Sequence, residues 1–110
     1  MARMPTKDPT QRKLMLRLPT DLYLWLHKTS VIERRTKTAI IAEAVAWAQT
    51  LTDRTALHEV EMSDGPRRTT SFDLPGPVYL WLRLEASTEE WSSNELAIRV
   101  LVAWCQQRAV

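Results

Sequence analysis

The chain has 110 residues, 45% of them apolar, with one cysteine and a formal net charge of +2. That length suits one ordinary domain with its own core, and a lone Cys105 excludes an internal disulfide framework and fits a reducing compartment. No apolar run approaches the roughly 20 residues of a membrane span, and "MARMPTKDPTQRK" has no apolar run behind its charges, so a cytoplasmic protein is expected.

The charge is unevenly spread. Residues 1–55 carry ten Lys/Arg and five Asp/Glu, whereas residues 56–110 carry five and eight, giving +5 against −3. Such asymmetry bears on the partner.

In chain order, the first readable element is "KLMLRL", Lys13 to Leu18. Leu14, Leu16 and Leu18 alternate with Lys13, Met15 and Arg17, the period of a half-buried strand. Pro19 ends the strand and opens a helix, where a missing N–H costs little. Leu22, Trp25, Leu26 and Thr29 then fall at helical spacing on one face. After the polar break "ERRT", Thr36 is a candidate cap for a second helix whose apolar face is Ile40, Ile41, Ala44, Val45 and Ala48. The Gly-Pro stretch "MSDGPRR" marks a linker.

The same order then recurs. "TTSFDL", Thr69 to Leu74, sets Thr70, Phe72 and Leu74 against Thr69, Ser71 and Asp73. Pro75 follows, and Val78, Trp81 and Leu82 restart the helical stripe. Aligning Pro19 with Pro75 superposes Tyr23-Leu24-Trp25-Leu26 on Tyr79-Leu80-Trp81-Leu82, and "VAWAQ" answers "VAWCQ" further on at a spacing one residue longer, so one extra residue is expected in the loop of the second copy. The second helix of this copy begins at Ser92, which forms a capping box with Glu95, while Trp91 and Leu96 suit a hydrophobic staple. Its apolar face is Ala97, Ile98, Leu101, Val102 and Cys105. Each copy is near the size at which an isolated unit buries too little surface to fold, so two copies sharing one core are expected. A six-residue strand needs a partner for its backbone groups, and the matching strand is the available one. The expected organisation is one compact pseudo-dimeric domain over residues 1–110: repeat one at 12–58, linker at 59–67, repeat two at 68–110. Its fold class is mostly α with one two-stranded antiparallel ribbon.

This order of alternating strand, Pro, amphipathic helix, polar turn and Ser/Thr-capped helix resembles the ribbon-helix-helix DNA-binding family, the Arc and MetJ class of β-ribbon readers. "KLMLRLPTDL…ERRTKTAIIAEAV" is similar to the family closely, and "TTSFDLPGPV…WSSNELAIRVLV" is a more diverged copy. The tandem arrangement resembles relaxosome accessory proteins of conjugative plasmids. The resemblance implies sequence-specific double-stranded DNA binding, as a transcriptional repressor or a plasmid transfer or maintenance factor, with a nucleoid-associated location. It implies base contacts from Lys13, Met15, Arg17, Thr69, Ser71 and Asp73, because a major groove about 12 Å wide admits a two-stranded ribbon. It implies phosphate contacts from the start of each second helix: Thr36, Lys37 and Thr38, flanked by Arg34 and Arg35, and Ser92, Ser93 and Asn94. A second copy of the chain on an adjacent subsite is a further implied partner.

The sequence departs from the family in two places. Neither turn, "IERRT" or "TEEWSS", has the Gly often found there, and Asp73 stands where the first copy has Arg17. An Asp can accept from cytosine N4, or it can pair with Arg17 or Lys13 across the ribbon. The outward Lys and Arg of the strand can also be read as plain edge protection. The alternative function is an antitoxin-like or adaptor module, binding a protein partner, in which the second copy no longer contacts DNA. His27 and His58 lack partners at metal-ligand spacing, Cys105 lies on an apolar face and is expected to be buried, and no catalytic constellation is present. Neither an enzyme activity, a metal nor a cofactor is expected.

Overall fold

The structure is a computed structural model that describes residues 11–62 and 64–108. The first ten residues, which entered the reading of the N-terminus, lie outside the described residues. The element order is β1 (Gln11–Pro19), α1 (Thr20–Glu33), α2 (Lys37–Gln49), α3 (Thr55–His58), β2 (Arg67–Pro75), α4 (Gly76–Glu89) and α5 (Ser93–Arg108). Most described residues are helical, and β1 and β2 pair antiparallel as a two-stranded sheet. None of the described helices is long and apolar enough to cross a membrane.

The strand alternation places the core. Leu16, Leu18, Phe72 and Leu74 are buried, and Leu14 and Thr70 are half-buried beside them. Both strands run longer than expected, to Pro19 and Pro75, because each proline takes extended backbone at φ near −50° and serves as the helix N-cap residue rather than its first turn. A proline tolerates that place because its missing N–H is not needed there. Thr20 is anchored instead by its backbone N–H, which donates to the Pro66 carbonyl at 3.0 Å.

Over the ribbon, α1 buries Leu22 and Leu26, and α2 buries all five residues of its expected face, Ile40, Ile41, Ala44, Val45 and Ala48. In α5 the buried set is wider than the expected stripe, adding Leu96, Val100, Ala103 and Trp104, while Val102 and Cys105 are only half-buried. Helix α5 touches α2, α3, α4 and β1, and a helix packed on several sides buries most of its circumference. Burial raises the Cys105 thiol above its ordinary range. Trp25 meets Trp104 edge-on at 6.0 Å, a favoured aromatic geometry.

Four helices were expected, and α3 is a fifth. It begins where Asp53 accepts the Thr55 N–H at 2.9 Å, an Asx turn that starts a helix, and it drives Leu57 fully into the core. Arg99 ties it down, lying over the Trp91 ring at 4.4 Å and donating to the Leu57 carbonyl at 2.8 Å. The two Gly-less turns take the same solution. Arg34 at φ 54° and Glu90 at φ 63° adopt the left-handed conformation after α1 and α4, and in each the following N–H returns to the last turn, Arg35 to Ser30 and Trp91 to Ala86. These are Schellman ends built without glycine.

Candidate nucleic-acid interface

The ribbon is two strands wide with its apolar face on the helices, so its other face is turned away from the core. Lys13, Met15, Arg17, Thr69 and Ser71 are exposed there, and Asp73 is half-buried. The ladder sets Lys13 opposite Asp73, Met15 opposite Ser71 and Arg17 opposite Thr69. Met15 is 63% exposed, so this methionine is not spent on packing. Of the two residues expected to pair with Asp73 across the ribbon, the register sets Lys13 opposite it, whereas Arg17 faces Thr69.

Each edge of the ribbon is flanked by the start of a helix. Helix α5 packs along β1, and α2 packs along β2. The contact at β1 is specific: the Arg17 N–H donates to Asn94 Oδ1 at 2.7 Å, and Asn94 Nδ2 donates back to the Arg17 carbonyl at 3.3 Å. The Arg67 guanidinium donates to the same carbonyl at 3.2 Å. An edge strand leaves such groups open to other chains, and here a side chain closes them.

The eight residues expected at phosphates therefore divide. Asn94 spends its amide on the β1 backbone. Arg35 is engaged by Glu43 and Glu33 and donates to the Ala39 carbonyl at 3.4 Å, and its hydrogen bond to Glu43 chiefly raises its already high pKa. Thr36 accepts the Ala39 N–H at 3.0 Å and Ser92 accepts the Glu95 N–H at 3.0 Å, both as caps. The capping box at Ser92 is half-formed, because the Glu95 carboxylate turns to Arg99 at 2.9 Å. Arg34 is exposed in its left-handed turn, while Lys37, Thr38 and Ser93 are half-buried at the helix starts.

Sequence reasoning passed over three residues here. Arg67 and Arg68 were read as linker or its margin, although both lie in β2. Tyr23 enters the sequence reading only as part of the repeated Tyr-Leu-Trp-Leu motif, yet Arg68 lies over its ring at 4.4 Å and Lys37 at 5.8 Å. The available signal was the Arg-Arg pair immediately before the second alternating strand.

Elsewhere, His58 contacts Glu89 at 3.0 Å and the Trp91 ring at 4.9 Å, and His27 stacks near Tyr23. Among the described residues no three His, Cys, Asp or Glu side chains converge as a metal site would require. Comparison of the chain with protein-family models, curated proteins and solved structures finds no match.

Proposed function

We propose that this chain is a pseudo-twofold, tandem ribbon-helix-helix protein that binds double-stranded DNA sequence-specifically through its β-ribbon. The observation that carries the reading is the outward ribbon face: an exposed Lys, Met and Arg on β1 beside an exposed Thr and Ser on β2. A strand pair with adjacent strands about 4.8 Å apart fits a groove about 12 Å wide. Arg17 and Lys13 can donate to guanine O6 and N7, Thr69 and Ser71 to several base edges, and Met15 can meet a thymine methyl.

The pseudo-twofold relation has support from the register. Sequence alignment matches Met15 with Ser71, and these two residues are also partners across the ladder. A residue that pairs with its own counterpart sits on the axis relating two copies. Strands of nine residues and first helices of fourteen in each half agree with that relation. At the six expected base-contact positions the ribbon is nevertheless lopsided, basic at Lys13 and Arg17 of β1 and neutral to acidic at Thr69, Ser71 and Asp73 of β2, so an asymmetric subsite is preferred over a palindrome. The biological role that fits is a repressor or a plasmid transfer or maintenance factor, with two chains side by side on adjacent subsites.

Selection of binding sites from random duplex DNA, followed by footprinting and a salt titration, tests the reading. Arg17→Ala is expected to relax preference at one base pair, at about 1–3 kcal/mol of discrimination. Lys37→Ala is expected to weaken all sequences alike and flatten the salt slope by about one. Identical behaviour of the two variants would remove the division into base and phosphate contacts.

A second reading, the protein-binding module, draws on a different surface. Leu24, Val31 and Ile32 of α1 and Leu80 and Leu84 of α4 are exposed large apolar side chains, a composition met at protein contacts. A stoichiometric protein complex with no retardation of any duplex would favour it.

A further inference from the structure

We infer that Tyr23, Lys37 and Arg68 form a one-sided clamp for a backbone phosphodiester of the bound duplex, an inference that rests on the DNA-binding reading. Three separate elements bring these residues together. Tyr23 comes from α1, Arg68 from the start of β2, and Lys37 is the first residue of α2. The Arg68 guanidinium carbon stands 4.4 Å from the Tyr23 ring centroid and the Lys37 Nζ stands 5.8 Å from it.

Arg68 has the parity of the inward face, since it pairs with the fully buried Leu18. At the end of the ribbon, however, it runs past the core and is exposed. The aromatic face then holds a cation in a place that strand parity alone would deny it. Two like charges share that ring. Among the described residues neither cation has a carboxylate within ion-pair distance, in contrast to Arg35, Arg54, Arg99 and Arg108. Two cations held at one ring without a carboxylate partner among the described residues gain most from an anion, and a phosphodiester suits both: Arg through its planar fork, Lys as a point charge.

The opposite flank is built differently. At the offset that carries Pro19 onto Pro75 and the start of α2 onto that of α5, Tyr79 takes the place of Tyr23, Ser93 that of Lys37 and Arg12 that of Arg68. Lys37 thus has no cationic counterpart. The Tyr79 hydroxyl accepts Arg83 Nη1 at 2.7 Å, and the same guanidinium lies 5.6 Å from its ring. The clamp therefore belongs to the β2 flank, diagonal to the basic residues of β1, and this fixes which way round the chain lies on its site.

The test measures affinity by fluorescence anisotropy for two duplexes of equal length, one random in sequence and one recovered by binding-site selection. Wild type is compared with Arg68→Gln, Tyr23→Leu, Tyr23→Phe and Arg12→Gln between about 50 and 200 mM salt. Arg68→Gln is expected to weaken both duplexes by the same factor and to lose about threefold less affinity over that salt range, the effect of one phosphate contact. Tyr23→Leu should follow it, whereas Tyr23→Phe, which keeps the ring, should behave as wild type. Arg12→Gln should change the salt response by less than half as much. Arg68 is on the surface, so its variant reads the clamp even if Tyr23→Leu folds poorly. An Arg68→Gln protein with wild-type affinity and salt slope overturns the clamp while leaving DNA binding intact, and equal effects from Arg12→Gln overturn its one-sidedness. Wild type that binds neither duplex at low salt overturns the DNA-binding reading, and the clamp with it.

Discussion

Replacing Asn94 with Ala separates two roles that its position at a helix start allows. If the side chain were a phosphate ligand, the variant would fold as wild type does and bind every duplex more weakly. The structure instead commits both amide atoms to the Arg17 backbone, at 2.7 and 3.3 Å. Each such bond contributes roughly 0.5–1.5 kcal/mol net. The longer one lies just outside the usual range and the site is open to water, so about 1.5 kcal/mol for the pair is a fair expectation against a total of about 5–15 kcal/mol. With a urea m-value near 1.5 kcal/mol/M, the unfolding midpoint should fall by about 1 M at unchanged slope. Asn94→Asp keeps the acceptor for the shorter bond and should recover part of that loss. On the DNA-binding reading, Asn94→Ala should also cost more affinity on a selected site than on random duplex, because it loosens the strand that carries Arg17. A midpoint within about 0.2 M of wild type, together with equal weakening on both duplexes, would refute the positioning role and restore the phosphate contact.

Two further predictions concern the helices. Glu90 is exposed and holds φ 63° with a side chain that penalises it, so Glu90→Gly should stabilise by about 0.5–1 kcal/mol and raise the melting temperature by roughly 4 °C; an unchanged or lower melting temperature would show that the turn carries no such penalty. The Glu33 carboxyl is held below its ordinary value, chiefly by its hydrogen bond from Arg108 and then by Arg35. A depressed folded-state pKa gives stability that is present above the unfolded carboxylate pKa and lost as pH falls through the folded one. Urea midpoints taken from pH 6 to well below the unfolded carboxylate pKa of about 4.3 should therefore fall more steeply for wild type than for Glu33→Gln, and parallel curves would exclude the linkage.

The fold was legible where period and chemistry agreed. Leu14, Leu16 and Leu18 alternate without interruption, so strand and face followed together, while β1 runs past the expected Lys13–Leu18 to Gln11 and Pro19. The five apolar residues of α2 were read correctly because that helix presents one face. Helix α5 was read too narrowly, since contact with four other elements buries Val100 and Trp104, which lie off any single stripe. Helix α3 has only four residues, fewer than a period needs to declare itself. The outward face of the ribbon was legible from strand parity, whereas the engagement of the side chains at the helix starts was not. Asn94 reaches Arg17 across 77 positions of sequence, and Arg35 is engaged by Glu43 one helix further on. Residue type announced these side chains as polar and available, but tertiary neighbours decided what they bind. The turns were read from their polar residues, but the left-handed conformation at Arg34 and Glu90 carried no signal, because neither residue is one that favours that region.

The pairing of Met15 with Ser71 has a kinetic consequence. On the ribosome, β1 emerges well before the segment that completes it. At about 5–20 residues per second, its three leucines wait on the order of 3–10 s for their complement. On the tandem reading, the nascent chain during that interval is equivalent to half of an assembly, able to zip onto the matching segment of a neighbouring nascent copy. Closing the long loop from β1 to β2 is entropically mild, since each doubling of loop length adds only about 0.6 kcal/mol, and the tether keeps the correct mate close at hand. Covalent linkage thus turns what would be a concentration-dependent encounter into a first-order step.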